Sequence, residues 1–114
     1  MEVAVYARVS TKRQQQNQPI EQQLVRLQEY VESQPGWHLA AAHRYCDDGY
    51  SGATLSRPGL DRLRDHAALA AFACVLVTAP DRLARSYVQQ VLVLEELTQL
   101  GCPVTFLDRP MSDD

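Results

Sequence analysis

Phe72-Ala73-Cys74-Val75-Leu76-Val77-Thr78 is the most strand-like stretch of the sequence. It is a near-continuous apolar run, and a run without polar alternation suits a parallel strand covered on both faces. Working back from it, residues 58 to 71 carry a helix pattern. Pro58 sits at its start, and Leu60, Leu63 and Leu69 continue it. Trp37 to Tyr45 predicts a second strand. Asp47-Asp48-Gly49-Tyr50-Ser51-Gly52 is turn-rich and predicts a mobile loop. Pro19 opens an earlier helix with Ile20, Leu24, Leu27 and Val31 at helical spacing, and Gln34-Pro35-Gly36 stops it. Val3 to Ala7 predicts the first strand. Ser10 to Gln18, with four glutamines and one asparagine, reads as a polar loop. Working forward, Ser86 to Leu100 predicts a helix with Gly101 as its C-cap, Val104 to Leu107 a fourth strand, and Met111 to Asp114 an acidic stub.

The resulting order is βαβαβαβ. Such alternation implies an α/β fold with a mainly parallel central sheet and helices on both faces. With strand order 2-1-3-4, the topological switch point lies between strands one and three. Ligands of such sheets sit there, beyond the carboxyl ends of the strands. Arg8 to Lys12 and Ala79 to Arg85 occupy those ends.

The 114 residues suffice for one domain. A chain 46% hydrophobic and 22% charged has the balance of a globular domain, which argues against intrinsic disorder. No apolar run reaches the roughly 18 to 20 residues of a membrane helix. Met1 to Tyr6 lacks the basic and long apolar regions of a signal peptide, so the reading points to the cytoplasm. Cys46, Cys74 and Cys102 are odd in number and form no CxxC, which favours buried free thiols over a disulfide or metal site. The net charge of -3 argues against a grip on nucleic acid by bulk electrostatics. However, ten of the eleven basic residues are arginine, with Lys12 the single lysine. Arginine is the better residue for bidentate phosphate recognition, so their clustering matters more than their number.

Tyr6-Ala7-Arg8-Val9-Ser10-Thr11 follows strand one, and Asp81-Arg82-Leu83-Ala84-Arg85 follows strand three. Ser56-Arg57-Pro58 brings another arginine to a helix N-terminus. One serine, four arginines and one aspartate are thus expected on a single rim. His38, His43 and His66 lie on other elements, so Ser-His-Asp acyl chemistry is poorly supported. A hydroxyl nucleophile beside guanidiniums is instead a phosphoryl-transfer set. Taken singly these residues have blander readings. Ser10 would be a turn residue, Arg82 and Arg85 a solvated face near Glu95 or Glu96, and Asp81 an N-cap for the following helix. Asp47 and Asp48 suggest a metal pair, but adjacent carboxylates in a turn are more often plain loop residues. Arg44, Arg62, Arg64 and Arg109 read as surface residues.

The chain resembles the catalytic domain of the serine recombinases, the resolvase, invertase and serine integrase family. Tyr6-Ala7-Arg8-Val9-Ser10 is similar to its nucleophile motif and Ile20-Glu21-Gln22-Gln23 to the start of its first helix. Asp48-Gly49-Tyr50-Ser51-Gly52 is similar to its mobile loop, Arg57-Pro58-Gly59-Leu60 to a further arginine motif, and Asp81-Arg82-Leu83-Ala84-Arg85 to its DRLxR motif. Five short motifs in the right order, spanning Val3 to about Asp108, make the match specific. The loop wording and long first helix look more like the large serine recombinases than the small resolvases.

The resemblance implies site-specific DNA recombination, with Ser10 attacking a phosphodiester to form a 5'-phosphoserine link. It implies that Arg8, Arg57, Arg82 and Arg85 bind the scissile phosphate. Asp81 would move a proton or orient an arginine, and Gln23 would help position Ser10 or the phosphate. Lys12 and Arg13 are expected to touch the DNA backbone, a solvated loop being nearly as good a reading. No metal or other cofactor is expected, since the phosphoserine bond stores the energy for religation. The expected partners are DNA, as two recombination sites, and further copies of the full-length protein as a dimer or tetramer. The family's domain continues into a long dimerisation helix and DNA-binding domains. Residues 1–114 are therefore expected to be the N-terminal catalytic part of a longer protein. Ala79-Pro80 before Asp81 departs from the family pattern and fixes the backbone φ there. The competing readings are a phosphate- or DNA-binding module of similar fold without catalysis, against which the absence of a GxGxxG or Walker loop weighs for nucleotides, and a degenerate recombinase retained as a regulator.

Overall fold

β1 (Glu2–Val9) runs through the middle of the sheet, and every residue after Glu2 is buried. The computed structural model describes residues 1–10 and 19–108. After β1 come α1 (Ile20–Glu32), β2 (His38–Asp48), α2 (Pro58–Ala68), β3 (Val75–Val77), α3 (Pro80–Leu83), α4 (Tyr87–Gln99) and β4 (Val104–Phe106). The strands lie in the order β2-β1-β3-β4 with each neighbouring pair parallel, as expected.

The alternation of strand side chains divides the core in two. Val3, Val5 and Leu76 face α1 and meet Leu27 and Val31. Ala4, Tyr6, Val75 and Val77 face the other way, onto Leu60 and Leu63 of α2 and Val93 and Leu97 of α4. Helices thus cover both faces, which is why β1 is apolar almost throughout. Each fully buried Leu or Val in these layers contributes about 1.5–3 kcal/mol. Among the described residues no helix is long and apolar enough to cross a membrane.

Several boundaries differ from the sequence reading, and β1 itself runs from Glu2 to Val9 rather than from Val3 to Ala7, so that Arg8 lies in the strand and not after it. β3 keeps three of the seven predicted residues: Phe72, Ala73 and Cys74 fall before it, although Ala73 N still donates to Glu2 O and Cys74 O accepts from Ala4 N, and the chain does not run on as an extended strand after Thr78. Pro80 instead occupies the first turn of α3, a four-residue helix that the apolar pattern did not predict. α2 ends at Ala68 rather than 71, since Ala70 takes a left-handed conformation with φ 59°. Finally, β2 runs on through Asp47 and Asp48, which pair with Arg8 and Val9 of β1. These two residues therefore belong to the sheet and not to the loop. The predicted cap at Gly101 lies just beyond α4 with φ 84°, where glycine carries no Cβ penalty. Lys12, Arg13, Arg109 and the acidic stub lie outside the described residues.

Thr78 follows β3 on the face shared with Leu76. It is fully buried, and among the described residues its Oγ1 has no hydrogen-bond partner. A buried hydroxyl without a partner costs about 1–3 kcal/mol. The isosteric Thr78→Val change should therefore leave stability unchanged or raise it by about 1 kcal/mol. Thermal melts of the two proteins test this, and a clear fall in Tm would mean that the hydroxyl is bonded.

Candidate active site

Arg8 is the hub at the carboxyl end of β1. Its side chain is 5% exposed. Nε donates to Arg82 O at 3.0 Å, Nη1 to Tyr50 O at 2.8 Å and Nη2 to Asp81 O at 2.7 Å. One guanidinium thus ties β1 to the loop after β2 and to α3. Burial, then the nearby Arg57, lowers its pKa. Arginine starts so high that it stays charged at neutral pH.

The backbone of Arg8 is held separately. Beyond Tyr6, β1 has lost its neighbour β3, which ends opposite it. Gln23 fills that place. Its Oε1 accepts from Arg8 N at 3.3 Å and its Nε2 donates to Arg8 O at 3.1 Å. A side-chain amide thus stands in for a missing rung of the sheet. Gln23 is fully buried in line with Leu27 and Val31 on α1. Read alone, Gln23 carries no signal in the sequence, since helices are full of glutamines, and its assignment there rests on the resemblance; its burial on the stripe of Leu27 and Val31 emerges from the fold.

Arg57 lies deeper than the expected rim. It precedes α2 and is fully buried. Nε donates to Thr54 O at 2.9 Å, Nη1 to Tyr6 Oη at 2.9 Å, and Nη2 makes a short bond to Leu83 O. Tyr6 Oη in turn donates to Asp47 Oδ2 at 2.6 Å. Burial, with that bond to Asp47, pushes the Tyr6 hydroxyl far above the usual tyrosine range against the opposing pull of Arg57. Asp47 completes the chain as the N-terminal cap of α2. Its Oδ1 accepts from Gly59 N at 2.7 Å and its Oδ2 from Leu60 N at 3.0 Å. A carboxylate at a helix N-terminus also meets the positive end of the helix dipole. Gly59 must be bare here, since a Cβ would come 2.6 Å from Cys46 O and 2.9 Å from Asp47 Oδ1.

Sequence reasoning missed Tyr6 and Asp47 as parts of the site. Tyr6 was visible only as a motif letter, and Asp47 looked like a turn residue. A carboxylate two residues beyond the fully apolar-facing Tyr45 was the available signal, because strand alternation puts both on one face. As its carboxylate already serves Tyr6, Gly59 and Leu60, Asp47 is no half of a metal pair. Among the described residues no three His, Cys, Asp or Glu side chains gather as metal ligands.

Asp81, Arg82 and Arg85 line the mouth. Arg82 is half-buried, and Nη1 reaches Arg8 O at 3.4 Å. Asp81 meets Arg8 through its carbonyl, and its exposed carboxylate lies within electrostatic reach of that guanidinium. Asp81 does not cap α4; Ser86 does, accepting from Gln89 N. Arg85 is exposed, and its backbone N donates to Gly52 O at 2.9 Å. Glu96 pairs with Arg64 at 2.9 Å rather than with Arg82 or Arg85. Ser10 is half-buried, two residues beyond Arg8. The structure therefore brings Arg8, Arg57, Arg82, Asp81, Arg85 and Gln23 into one connected group at the end of β1, with Ser10 adjoining it along the chain.

The profile of the family "Resolvase, N terminal domain" matches residues 3–114. The chain belongs to the resolvase family of serine recombinases. The crystal structure of the N-terminal catalytic domain of TP901-1 integrase is 34% identical, with a TM-score of 0.82 over 94% of this chain and 77% of that one. A serine recombinase from Sulfolobus solfataricus is 26% identical with a TM-score of 0.70, covering 97% of this chain and 71% of that one. The Bacillus subtilis (strain 168) protein "Putative DNA recombinase" is 37% identical over 65 residues, 57% of this chain. That match spans 13% of the relative's length. The expected 2-1-3-4 sheet is present, and the fold matches that of resolvase-like catalytic domains.

Proposed function

We propose that this chain is the catalytic domain of a longer site-specific DNA recombinase and that Ser10 is its nucleophile. Ser10 Oγ loses its proton and forms a bond to the scissile phosphorus. The bond from phosphorus to the 3' oxygen breaks, and that oxygen takes up a proton. A 5'-phosphoserine link and a free 3'-hydroxyl result. Religation reverses the step with a 3'-hydroxyl from another site, so no outside energy source enters.

The observation that carries this reading is the gathering of Arg8, Arg57 and Arg82 at the end of the strand that delivers Ser10. Phosphoryl transfer spreads negative charge over the phosphate oxygens, and preorganised cations there lower the barrier. Arg82 and Arg85 at the mouth would meet the phosphate first. Arg8 would exchange the Asp81 and Arg82 carbonyls for phosphate oxygens while its Nη1 stays on Tyr50 O and the loop remains closed over it. Arg57 would act from below through the positive potential it adds. Asp81 would take the serine proton or orient an arginine. Gln23 acts as a positioning residue, holding the peptide of Arg8. Lys12 and Arg13 would touch the DNA backbone beside Ser10. DNA and further copies of the full-length protein are the partners in this reading. The test is a suicide DNA substrate incubated with the full-length protein, followed by a denaturing gel for a covalent 5'-linked adduct.

The reading has a second measurable consequence. Arginines supply the positive charge that metals supply in two-metal nucleases. Cleavage in excess EDTA should therefore match cleavage in magnesium to within about twofold. Loss on chelation, restored by magnesium alone, would overturn the arginine mechanism; restoration by zinc alone would point to a structural zinc elsewhere in the full-length protein.

A further inference from the structure

Gly52 is buried between two arginines of the candidate site. A Cβ built on it would stand 2.8 Å from Arg8 Nη2, 3.1 Å from Arg8 Cζ and 2.8 Å from Arg85 Cγ. Backbone conformation is not what calls for glycine here. The loop's left-handed glycine is Gly49, with φ 84°, and Gly52 is not among the positive-φ residues. Any L-residue fits the Gly52 backbone, so what excludes a side chain is the two arginines themselves. The same loop is anchored on the same pair. Tyr50 O accepts from Arg8 Nη1 at 2.8 Å, and Gly52 O accepts from Arg85 N at 2.9 Å. On its far side Ala53 O accepts from Gln89 Nε2 at 3.2 Å, and Thr54 O accepts from Arg57 Nε at 2.9 Å.

We infer that Gly52 is a positioning residue for phosphate capture: its bare Cα sets the gap between Arg8 and Arg85 and lets the loop close on both. The inference rests on the phosphate-binding role proposed above for these arginines. Ordinary carbon contacts need about 3.5–4.0 Å, so a methyl group at 52 displaces one arginine or the loop by roughly 1 Å. A misplacement of that size at a reacting centre costs roughly 100-fold in rate. Because nothing at Gly52 itself carries charge, affinity for the DNA phosphates stays with the arginines.

Two measurements test this. In the full-length protein, Gly52→Ala should slow single-turnover adduct formation roughly 100-fold while DNA affinity changes less than about threefold. An adduct rate within about threefold of the parent, in a variant whose near-ultraviolet circular dichroism is native, would sink the inference. The second measurement is a double-mutant melting cycle on residues 1–114. Gly52→Ala should lower Tm clearly less in an Arg85→Ala background, where the Cγ clash is gone, than in the parent chain. Equal losses in the two backgrounds would overturn the inference. Should the parent protein form no adduct at all, the proposed function fails, while the melting cycle still decides whether the bare Cα of Gly52 is what accommodates Arg85.

Discussion

Ser10→Ala is expected to abolish covalent attachment to DNA, a loss of at least roughly 10⁴-fold in single-turnover cleavage, because removing a nucleophile removes the step itself. A serine hydroxyl is a weak nucleophile at neutral pH and must shed its proton as the bond forms. Its usefulness here depends on where β1 puts it. Every residue of β1 after Glu2 is buried, and Gln23 clamps the Arg8 peptide on the side that β3 has vacated. The chain leaving the sheet at Ser10 thus starts from a fixed point. Arg8, two residues earlier, adds a cation whose lowered pKa still leaves it charged. Deleting one oxygen from a half-buried serine opens no cavity of consequence, so folding and DNA affinity should survive. The pair of readouts matters: a denaturing gel without adduct, beside a gel shift like that of the parent. If Ser10→Ala still gives a 5'-linked adduct, the nucleophile is another residue and the mechanism fails.

How much of this was written in the sequence depends on the range of each interaction. Phe72 to Thr78 and Val3 to Ala7 announced parallel strands because both faces of a central strand must be apolar, a local signature of a global position. From strand order alone the meeting of Arg8 with Asp81 and Arg82 followed. The depth of Arg57 did not follow. Its burial is set by Tyr6, 51 residues away, and by Leu83, 26 residues away, and neither leaves a mark near Arg57 itself. α3 was equally silent, since four residues carry no helical period and Pro80 reads as a break as readily as a start. Asp47-Asp48-Gly49 has turn composition, yet tertiary bonds from Tyr6, Gly59 and Leu60 hold Asp47 in the strand. Local propensity lost to partners that the local sequence does not contain.

Asp47 and Asp48 look alike in sequence, and their replacement should separate them widely. Asp47 is 1% exposed and accepts three hydrogen bonds, from Tyr6 Oη, Gly59 N and Leu60 N. Asp47→Ala leaves two backbone N–H groups at the start of α2 without their acceptor, each costing about 1–3 kcal/mol. It also removes the negative end of the Asp47-Tyr6-Arg57 chain, leaving a fully buried guanidinium with only neutral partners beside it. Unbalancing a buried charge of this kind costs about 3–5 kcal/mol. For a domain of this size that loss corresponds to a fall in Tm of roughly 10–20 °C. Asp47→Asn should lie between, since its amide oxygen still accepts while its NH2 faces donors. Asp48 is exposed, and Asp48→Ala should change stability by no more than about 0.5 kcal/mol. Thermal melts of the three variants at neutral pH make the comparison. Near-equal melting of Asp47→Ala and Asp48→Ala would show that Asp47 neither caps α2 nor balances Arg57. A large gap between them would tie the stability of α2 to the depth at which Arg57 is held.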